Sequence, residues 1–250
     1  MQTVEALVKN HVASDSHLII HSDGAKSEED EDKIREVRSY LSTISGFGKI
    51  ELIFQSVNLG LSKSIISGVT SVVNQYGKVI VLEDDLVTAP YFLTFMNEAL
   101  DRYAFREEVV SIHGYMYPVK GSLPDTFFLR GADCWGWATW KRGWDLFNED
   151  GKFLLSELKK QNQIKRFNFG GTFLFSKMLE DQINGLNDSW AIRWYASAYL
   201  ANKLTLYPGK SLVSNIGFDN SGVHCSSSDS YSVFLYSGSL RVKDIEVIEH

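Results

Sequence analysis

The feature that most constrains the fold of this chain is an alternation of strand-like and helix-like segments in its first half. Short apolar runs recur at residues 17–20, 50–54, 78–82 and 109–113. The segments between them carry apolar residues three or four positions apart, most clearly at residues 61–76, which is the spacing of a helix face. Strands joined through helices form right-handed βαβ units. The sequence therefore predicts an α/β fold with a mostly parallel sheet flanked by helices.

The pattern changes after about residue 114. Aromatic residues become dense in "CWGWATWKRGWDLF" (134–147), and helical patterns follow at about 153–160, 171–184 and 189–202. A chain of 250 residues is long enough for one sizeable α/β domain. We therefore interpret residues 1–113 and 114–250 as two halves of one domain, the second helical and rich in aromatic residues.

Composition excludes several classes of protein. The formal net charge is −6 and no basic run of five residues occurs, which argues against nucleic-acid binding. The two cysteines form no metal-type CxxC pair and no disulfide framework, which favours a cytoplasmic location. The sequence contains no apolar run of about 18 residues, so no transmembrane helix is expected. The first residues do not resemble a signal peptide.

An acidic segment (Glu83, Asp84 and Asp85) follows the third strand-like run, in "KVIVLEDDLVTAP". Three adjacent carboxylates repel one another, and in parallel sheets ligands bind beyond the carboxyl ends of the strands. Asp23 falls at a second such end. Adjacent carboxylates suit Mn²⁺ or Mg²⁺, which can hold a diphosphate. The alternative is an exposed turn of capping acids before the helix that follows Pro90.

The stretch "VIVLEDDLVTAPYF" resembles the Glu-Asp-Asp form of the DxD motif in GT-A fold glycosyltransferases. It is similar to enzymes of the N-acetylglucosaminyltransferase I type and to family 2-like bacterial sugar transferases. Further segments resemble that family in the same order, namely "IIHSDGA" (19–25), "NLGLSKSIISGV" (58–69), "RGADCWGWATWKRGW" (130–144), "NDSWAIRW" (187–194) and "LVSNIGFDNSGVHC" (212–225). The resemblance implies a Rossmann-like GT-A sheet, with residues 1–113 binding a nucleotide sugar and residues 114–250 binding the acceptor.

The resemblance also implies ligand roles, residue by residue. Asp85 becomes the ligand of Mn²⁺ or Mg²⁺, and His224 completes the metal shell or touches phosphate. A structural or solvated position is the alternative for His224, and an exposed helix face is the alternative for Lys63. The positions implied to bind the nucleotide sugar are Asp23, Asn58, Lys63, Glu83 and Asp84.

For catalysis the resemblance makes Asp188 the general base that deprotonates an acceptor hydroxyl. The alternative is that Asp188 only caps the following helix, in which case Asp181 or Asp133 replaces it. A single base without a second nucleophile indicates inversion at the anomeric carbon. The residues expected to bind the acceptor are Asp133, Trp135, Gly136 and Trp137, and core packing is the alternative for the tryptophans.

One departure from the family concerns the start of the fold. The family begins with a strand that has no counterpart here, because residues 2–10 already match its first helix. We therefore expect the sheet to lack that strand, which would leave backbone groups of its neighbours unpaired.

The expected function is metal-dependent, inverting transfer of a sugar, as in bacterial polysaccharide biosynthesis. The expected donor is a UDP-sugar, and the acceptor is a hydroxyl of a glycan or lipid-linked sugar. The alternatives are a sugar-phosphate nucleotidyltransferase and a degenerate, non-catalytic carbohydrate-binding domain. The expected location is the cytoplasm, either free or peripheral at the inner face of the membrane. A bilayer-facing position for residues 189–202 is the alternative to core packing, although this segment lacks a basic face.

Overall fold

The structure is a computed structural model that describes residues 1–217 and 231–250. Within these residues the strands are β1 (His17–Ser22), β2 (Lys49–Phe54), β3 (Lys78–Val81), β4 (Leu86–Thr88), β5 (Val109–His113), β6 (Thr126–Leu129), β7 (Trp137–Trp140), β8 (Leu204–Pro208) and β9 (Val213–Asn215). The helices are α1 (Gln2–Leu7), α2 (Glu31–Leu41), α3 (Leu61–Tyr76), α4 (Phe92–Arg102), α5 (Lys141–Trp144), α6 (Gly151–Lys160), α7 (Ile164–Phe167), α8 (Phe175–Ile183) and α9 (Trp190–Leu200). The α/β class predicted from the alternating pattern is confirmed.

Helix α3 shows how the sequence sets the first half of the fold. Its apolar stripe buries Val69 and Val73, as the three- and four-residue spacing predicts. The helix ends at Gly77, which adopts the left-handed conformation (φ 78°) and donates its N–H to the Val73 carbonyl. Strand β3 begins at the next residue, so this turn delivers the acidic segment to the far end of the strand.

The main sheet is mixed rather than mostly parallel, which corrects the sequence-based prediction. Its five strands have the order β3-β7-β5-β8-β6, and only the pair β5 and β8 is parallel. Strands β6 and β7 are each reached through loops without a helix, at residues 114–125 and 130–136. Parallel pairing needs a crossover connection, whereas antiparallel neighbours do not. The helical pattern of the first half therefore does not extend to these strands.

Strands β1 and β2 form a separate parallel pair, in which His17 lies opposite Lys49. Among the described strands β1 pairs only with β2, and β3 pairs only with β7. Helix α3 nevertheless reaches β1 as well as β3, because the rings of His17 and Tyr76 lie 5.5 Å apart. The sheet is thus divided between β1 and β3 beneath a shared helix.

The second half packs around α9 and a cluster of tryptophans. The ring centroids of Trp137 lie 5.4 Å from Trp190 and 5.7 Å from Trp194. Nearly every residue of α9 is buried, so core packing, and not contact with a bilayer, accounts for its aromatic sequence. The five-stranded sheet contains strands from both halves of the chain. Among the described residues no helix combines the length and apolar character needed to cross a membrane.

Candidate functional site

The acidic segment lies in a turn between β3 and β4 and is held by backbone contacts. The N–H of Ile216 donates to the Asp85 carbonyl (2.8 Å), and the Thr3 hydroxyl donates to the Asp84 carbonyl (2.6 Å). Strand β4 pairs with β9, with Leu86 opposite Asn215. These contacts use main-chain oxygens, so they fix the turn without engaging the carboxylates.

The Glu83 and Asp85 carboxylates are crowded and partly buried, whereas Asp84 is exposed. Burial, and then the charges of Asp85 and Asp84, raise the pKa of Glu83 to about 7. Burial and the neighbouring Asp84 also raise the pKa of Asp85, although a hydrogen bond with the Asn215 side chain opposes this shift. Such a site disfavours negative charge unless a cation enters it. The burial of Glu83 argues against an exposed turn of capping acids, and binding of a divalent cation stays a prediction.

The donor chemistry of the acidic segment suits Mn²⁺ or Mg²⁺, since both prefer carboxylate oxygens. Within residues 1–217 and 231–250, no group of three or more His, Cys, Asp or Glu side chains is arranged to hold a metal. The role of Asp85 as a ligand of Mn²⁺ or Mg²⁺ therefore stays a prediction. The predicted ligand His224 lies outside the described residues.

Cys134 lies near the acidic segment, and Asp133 precedes it in the sequence. The Cys134 thiol is buried, and burial, together with the charges of Glu83, Asp133 and Asp85, raises its pKa well above the usual value. Asp133 accepts a hydrogen bond from the Tyr207 hydroxyl. The charges of Asp133 and of the acidic segment thus both act on Cys134, and an acceptor-binding role for Asp133 stays a prediction. Sequence reasoning did not single out Cys134, although it is the first residue of the aromatic segment at 134–147.

Asp133 belongs to a buried polar cluster at the end of β5. Burial raises the pKa of Tyr117 well above its usual value, and a hydrogen bond to Asp133 contributes in the same direction. The His113 ring lies 5.0 Å from the Tyr207 ring, and burial lowers the pKa of His113 to about 4. Neither His113 nitrogen has a hydrogen-bond partner among the described residues. The sequence segment that could have indicated this polar cluster is "SIHGYMY" (111–117), in which polar and aromatic residues follow a buried strand.

Asp23 and Asn58, which are predicted to bind the nucleotide sugar, connect the loop after β1 to the loop before α3 by hydrogen bonds. The Asp23 carboxylate accepts the N–H groups of Leu59 (2.8 Å) and Gly60 (2.9 Å), and Asn58 donates to the Gly24 carbonyl (2.8 Å). Burial alone raises the pKa of Asp23, but these backbone donors outweigh it and the pKa is lowered. Both residues therefore shape the entrance to α3, and direct contact with a base or ribose stays a prediction.

Asp188 is exposed and lies near the same entrance. Its Oδ2 is 3.8 Å from the position that a Cβ on Gly60 would occupy. The helix cap is provided by Ser189, whose hydroxyl accepts the N–H of Ile192 (3.2 Å). The alternative in which Asp188 only caps α9 is therefore wrong. No hydrogen bond or ion pair among the described residues occupies the Asp188 carboxylate, whereas the substitute base Asp181 is paired with Lys177.

The remaining predicted residues divide between surface and core. Lys63 is exposed on the first turn of α3. Trp135 is partly buried, with its ring 4.8 Å from the Tyr115 ring. Gly136 has φ 67°, and a Cβ there would lie 2.6 Å from a Val213 methyl group, so only glycine fits. Trp137 is fully buried among other tryptophans, and this placement removes it from the candidate acceptor surface.

The predicted residues thus lie in different places. The acidic segment lies near Cys134, whereas Asp23, Asn58 and Asp188 meet at the start of α3. No hydrogen bond or ion pair in the described part of the chain connects these two places. No protein-family model and no curated protein sequence matches this chain.

Proposed function

We propose that this chain is a GT-A type, metal-dependent, inverting glycosyltransferase that uses a nucleotide sugar, with UDP as the expected nucleotide. The observation that carries the proposal is the crowding of three carboxylates in the turn after β3. Burial and mutual repulsion raise the pKa of Glu83 to about 7 and also raise the pKa of Asp85. A segment that costs stability without a cation is expected to serve a cation-dependent function.

The proposal assigns the metal to Asp85, with Glu83 beside it. A divalent cation at this position would neutralise negative charge on a departing nucleoside diphosphate. The Asp85 backbone is held by Ile216, and its carboxylate by Asn215, so the ligand is oriented before substrate binds. Preorganised groups need little rearrangement during the reaction.

Asp188 is the proposed general base. Its free, exposed carboxylate can accept the proton of an acceptor hydroxyl, whose oxygen then forms a bond with the anomeric carbon. The bond from that carbon to the diphosphate oxygen breaks with its electron pair, so the configuration inverts. Asp133, which is held by the Tyr207 hydroxyl, is the proposed acceptor-binding carboxylate.

The test is release of UDP from a panel of UDP-sugars, with and without Mn²⁺ and with mixed glycan acceptors. We expect Mn²⁺-dependent release from at least one donor. Asp188→Asn should lower kcat by roughly 10²- to 10⁴-fold, the usual contribution of a general base. Asp181→Asn is a matched control, because Asp181 is a nearby carboxylate already paired with Lys177.

Other products would contradict the proposal. Pyrophosphate release from UTP and a sugar 1-phosphate would indicate a nucleotidyltransferase. Sugar binding without any turnover would indicate a degenerate carbohydrate-binding domain. The observation that favours this second candidate is the division of the sheet between β1 and β3, because it leaves two strand edges unpaired within the described residues.

A further inference from the structure

Arg193 on α9 is a buried charged residue without a charged partner. Only 7% of its surface is exposed, and no carboxylate among the described residues forms an ion pair with it. Removing a charge from water without an opposite charge is costly, so a buried arginine is usually paired with a carboxylate. An unpaired guanidinium at this position therefore indicates a role that a neutral side chain does not fill.

The guanidinium of Arg193 joins three separate segments of the chain. Nε donates to the Ser189 carbonyl (3.3 Å), Nη1 donates to the Glu149 carbonyl (3.4 Å), and Nη2 donates to the Ser62 hydroxyl. Ser189 caps α9, Glu149 precedes α6, and Ser62 lies in the first turn of α3. A planar group with five N–H donors can bridge three segments in this way, whereas a lysine ammonium acts as a point charge.

One of these hydrogen bonds connects the two halves of the chain. Ser62 belongs to residues 1–113 and Arg193 to residues 114–250, and both side chains are buried. Ser62 lies two residues after Gly60, whose N–H is bound by the Asp23 carboxylate. The Arg193 side chain thus ties the start of α9 to the start of α3.

The turn at residues 187–189, which carries Asp188, is held on both sides. The Ser189 N–H donates to the Asn187 side chain (3.0 Å), and the Ser189 carbonyl accepts from Arg193. The Asp188 carboxylate itself is exposed, and its Oδ2 lies 3.8 Å from the position that a Cβ on Gly60 would occupy. The backbone of the turn is therefore fixed, while the carboxylate stays unpaired beside the start of α3.

We propose that Arg193 is the positioning residue that holds the turn at residues 187–189 against the start of α3. The inference rests on the proposed function, because it concerns the general base of that reaction. A base must lie within hydrogen-bond distance of the proton that it accepts, and a displacement of about 1 Å can cost about 10²-fold in rate. Loss of the guanidinium should therefore slow the reaction although the Asp188 carboxylate is still present.

Arg193→Met tests this role, because methionine forms none of the three hydrogen bonds. With the UDP-sugar that the unmodified chain uses, we expect kcat to fall about 10²-fold and KM for this donor to change much less. Arg193→Lys should be similarly impaired, since it keeps the charge but cannot form the three bonds. The double variant Arg193→Met/Asp188→Asn should be no slower than Asp188→Asn, because a positioning residue acts only through the base.

Arg142→Met is the matched control. The Arg142 guanidinium also donates to three backbone carbonyls, those of Tyr103, Ala104 and Val109, and it too has no ion pair in the described part of the chain. None of these bonds reaches α3 or α9. Arg142→Met should therefore lower the urea midpoint but leave the kcat of the folded protein unchanged.

Ser62→Ala is a milder variant that keeps the experiment decisive if Arg193→Met does not fold. It removes one of the three bonds to the guanidinium and leaves Arg193 in place. We expect kcat to fall about fivefold, which corresponds to the loss of one ordinary hydrogen bond.

Three results would overturn the inference while leaving the proposed function in place. These are an unchanged kcat in Arg193→Met or in Ser62→Ala, an equal loss of kcat in Arg142→Met, and a double variant that is much slower than Asp188→Asn. Absence of turnover by the unmodified chain would instead overturn the proposed function, and this inference with it.

Discussion

Replacing Glu83 with Gln should stabilise the protein above neutral pH. In the folded state Glu83 keeps its proton up to about pH 7, because of burial and the charges of Asp85 and Asp84. In the unfolded chain it ionises near pH 4.5. The unfolded state therefore releases this proton first as the pH rises, and the contribution of Glu83 to the free energy of unfolding falls between pH 4.5 and 7.

The magnitude follows from the shift in pKa. A shift from 4.5 to about 7 corresponds to about 3 kcal/mol, at 1.36 kcal/mol per unit. Glu83→Gln has nearly the same shape but cannot ionise. It should therefore gain up to about 3 kcal/mol over the unmodified chain at pH 8 and nothing at pH 4.5. Removing one charge from the segment also relieves Asp85.

Urea unfolding followed by circular dichroism at pH 4.5, 6 and 8 measures this difference. Glu36→Gln, on the exposed face of α2, is the matched control and should show no comparable gain. A Glu83→Gln variant that is equally stable or less stable at pH 8 would refute the reasoning, because it would show that the Glu83 carboxylate is not strained by its surroundings.

Three further predictions concern the surrounding structure. Gly24→Ala should lower the free energy of unfolding by roughly 1–3 kcal/mol, because its Cβ would lie 2.3 Å from the Val57 carbonyl carbon, and an unchanged urea midpoint would contradict this. The contribution of His113 has the opposite sign to that of Glu83 and lowers stability as the pH falls from 6.5 towards 4, because the unfolded chain protonates this ring first; over this range His113→Phe should therefore gain stability relative to the unmodified chain in thermal unfolding. Trp137→Ala should cost roughly 3–5 kcal/mol in urea unfolding, and a much smaller loss would place this side chain outside the core.

The first half of the fold could be predicted from the sequence because its strands and helices follow the local spacing of apolar residues. Strands β1, β2, β3 and β5 coincide with the apolar runs, and α3 lies at the predicted residues. Strands β6 and β7 were missed because their partners are distant in sequence and no helix precedes them. The direction of these strands is decided by pairing with strands distant in the sequence. The local spacing of apolar residues carries no information about that pairing.

The candidate site was predictable only in part, for the same reason. The acidic segment stands out because three adjacent carboxylates after an apolar run are unusual. The partner of Asp133 is Tyr207, 74 positions away, and no local pattern joins them. Asp188 was considered as a cap for α9, whereas the hydrogen bond from the Ile192 N–H shows that Ser189 caps this helix.

The most direct test of the central claim is calorimetric titration of UDP into the full chain, with and without Mn²⁺. The account predicts binding that requires Mn²⁺ and is lost in Asp85→Asn, while the control Asp181→Asn binds normally. Binding of equal strength without Mn²⁺, or in Asp85→Asn, would contradict the claim that the acidic segment clamps a metal and a diphosphate. Absence of binding in the presence of Mn²⁺ would contradict the proposed donor.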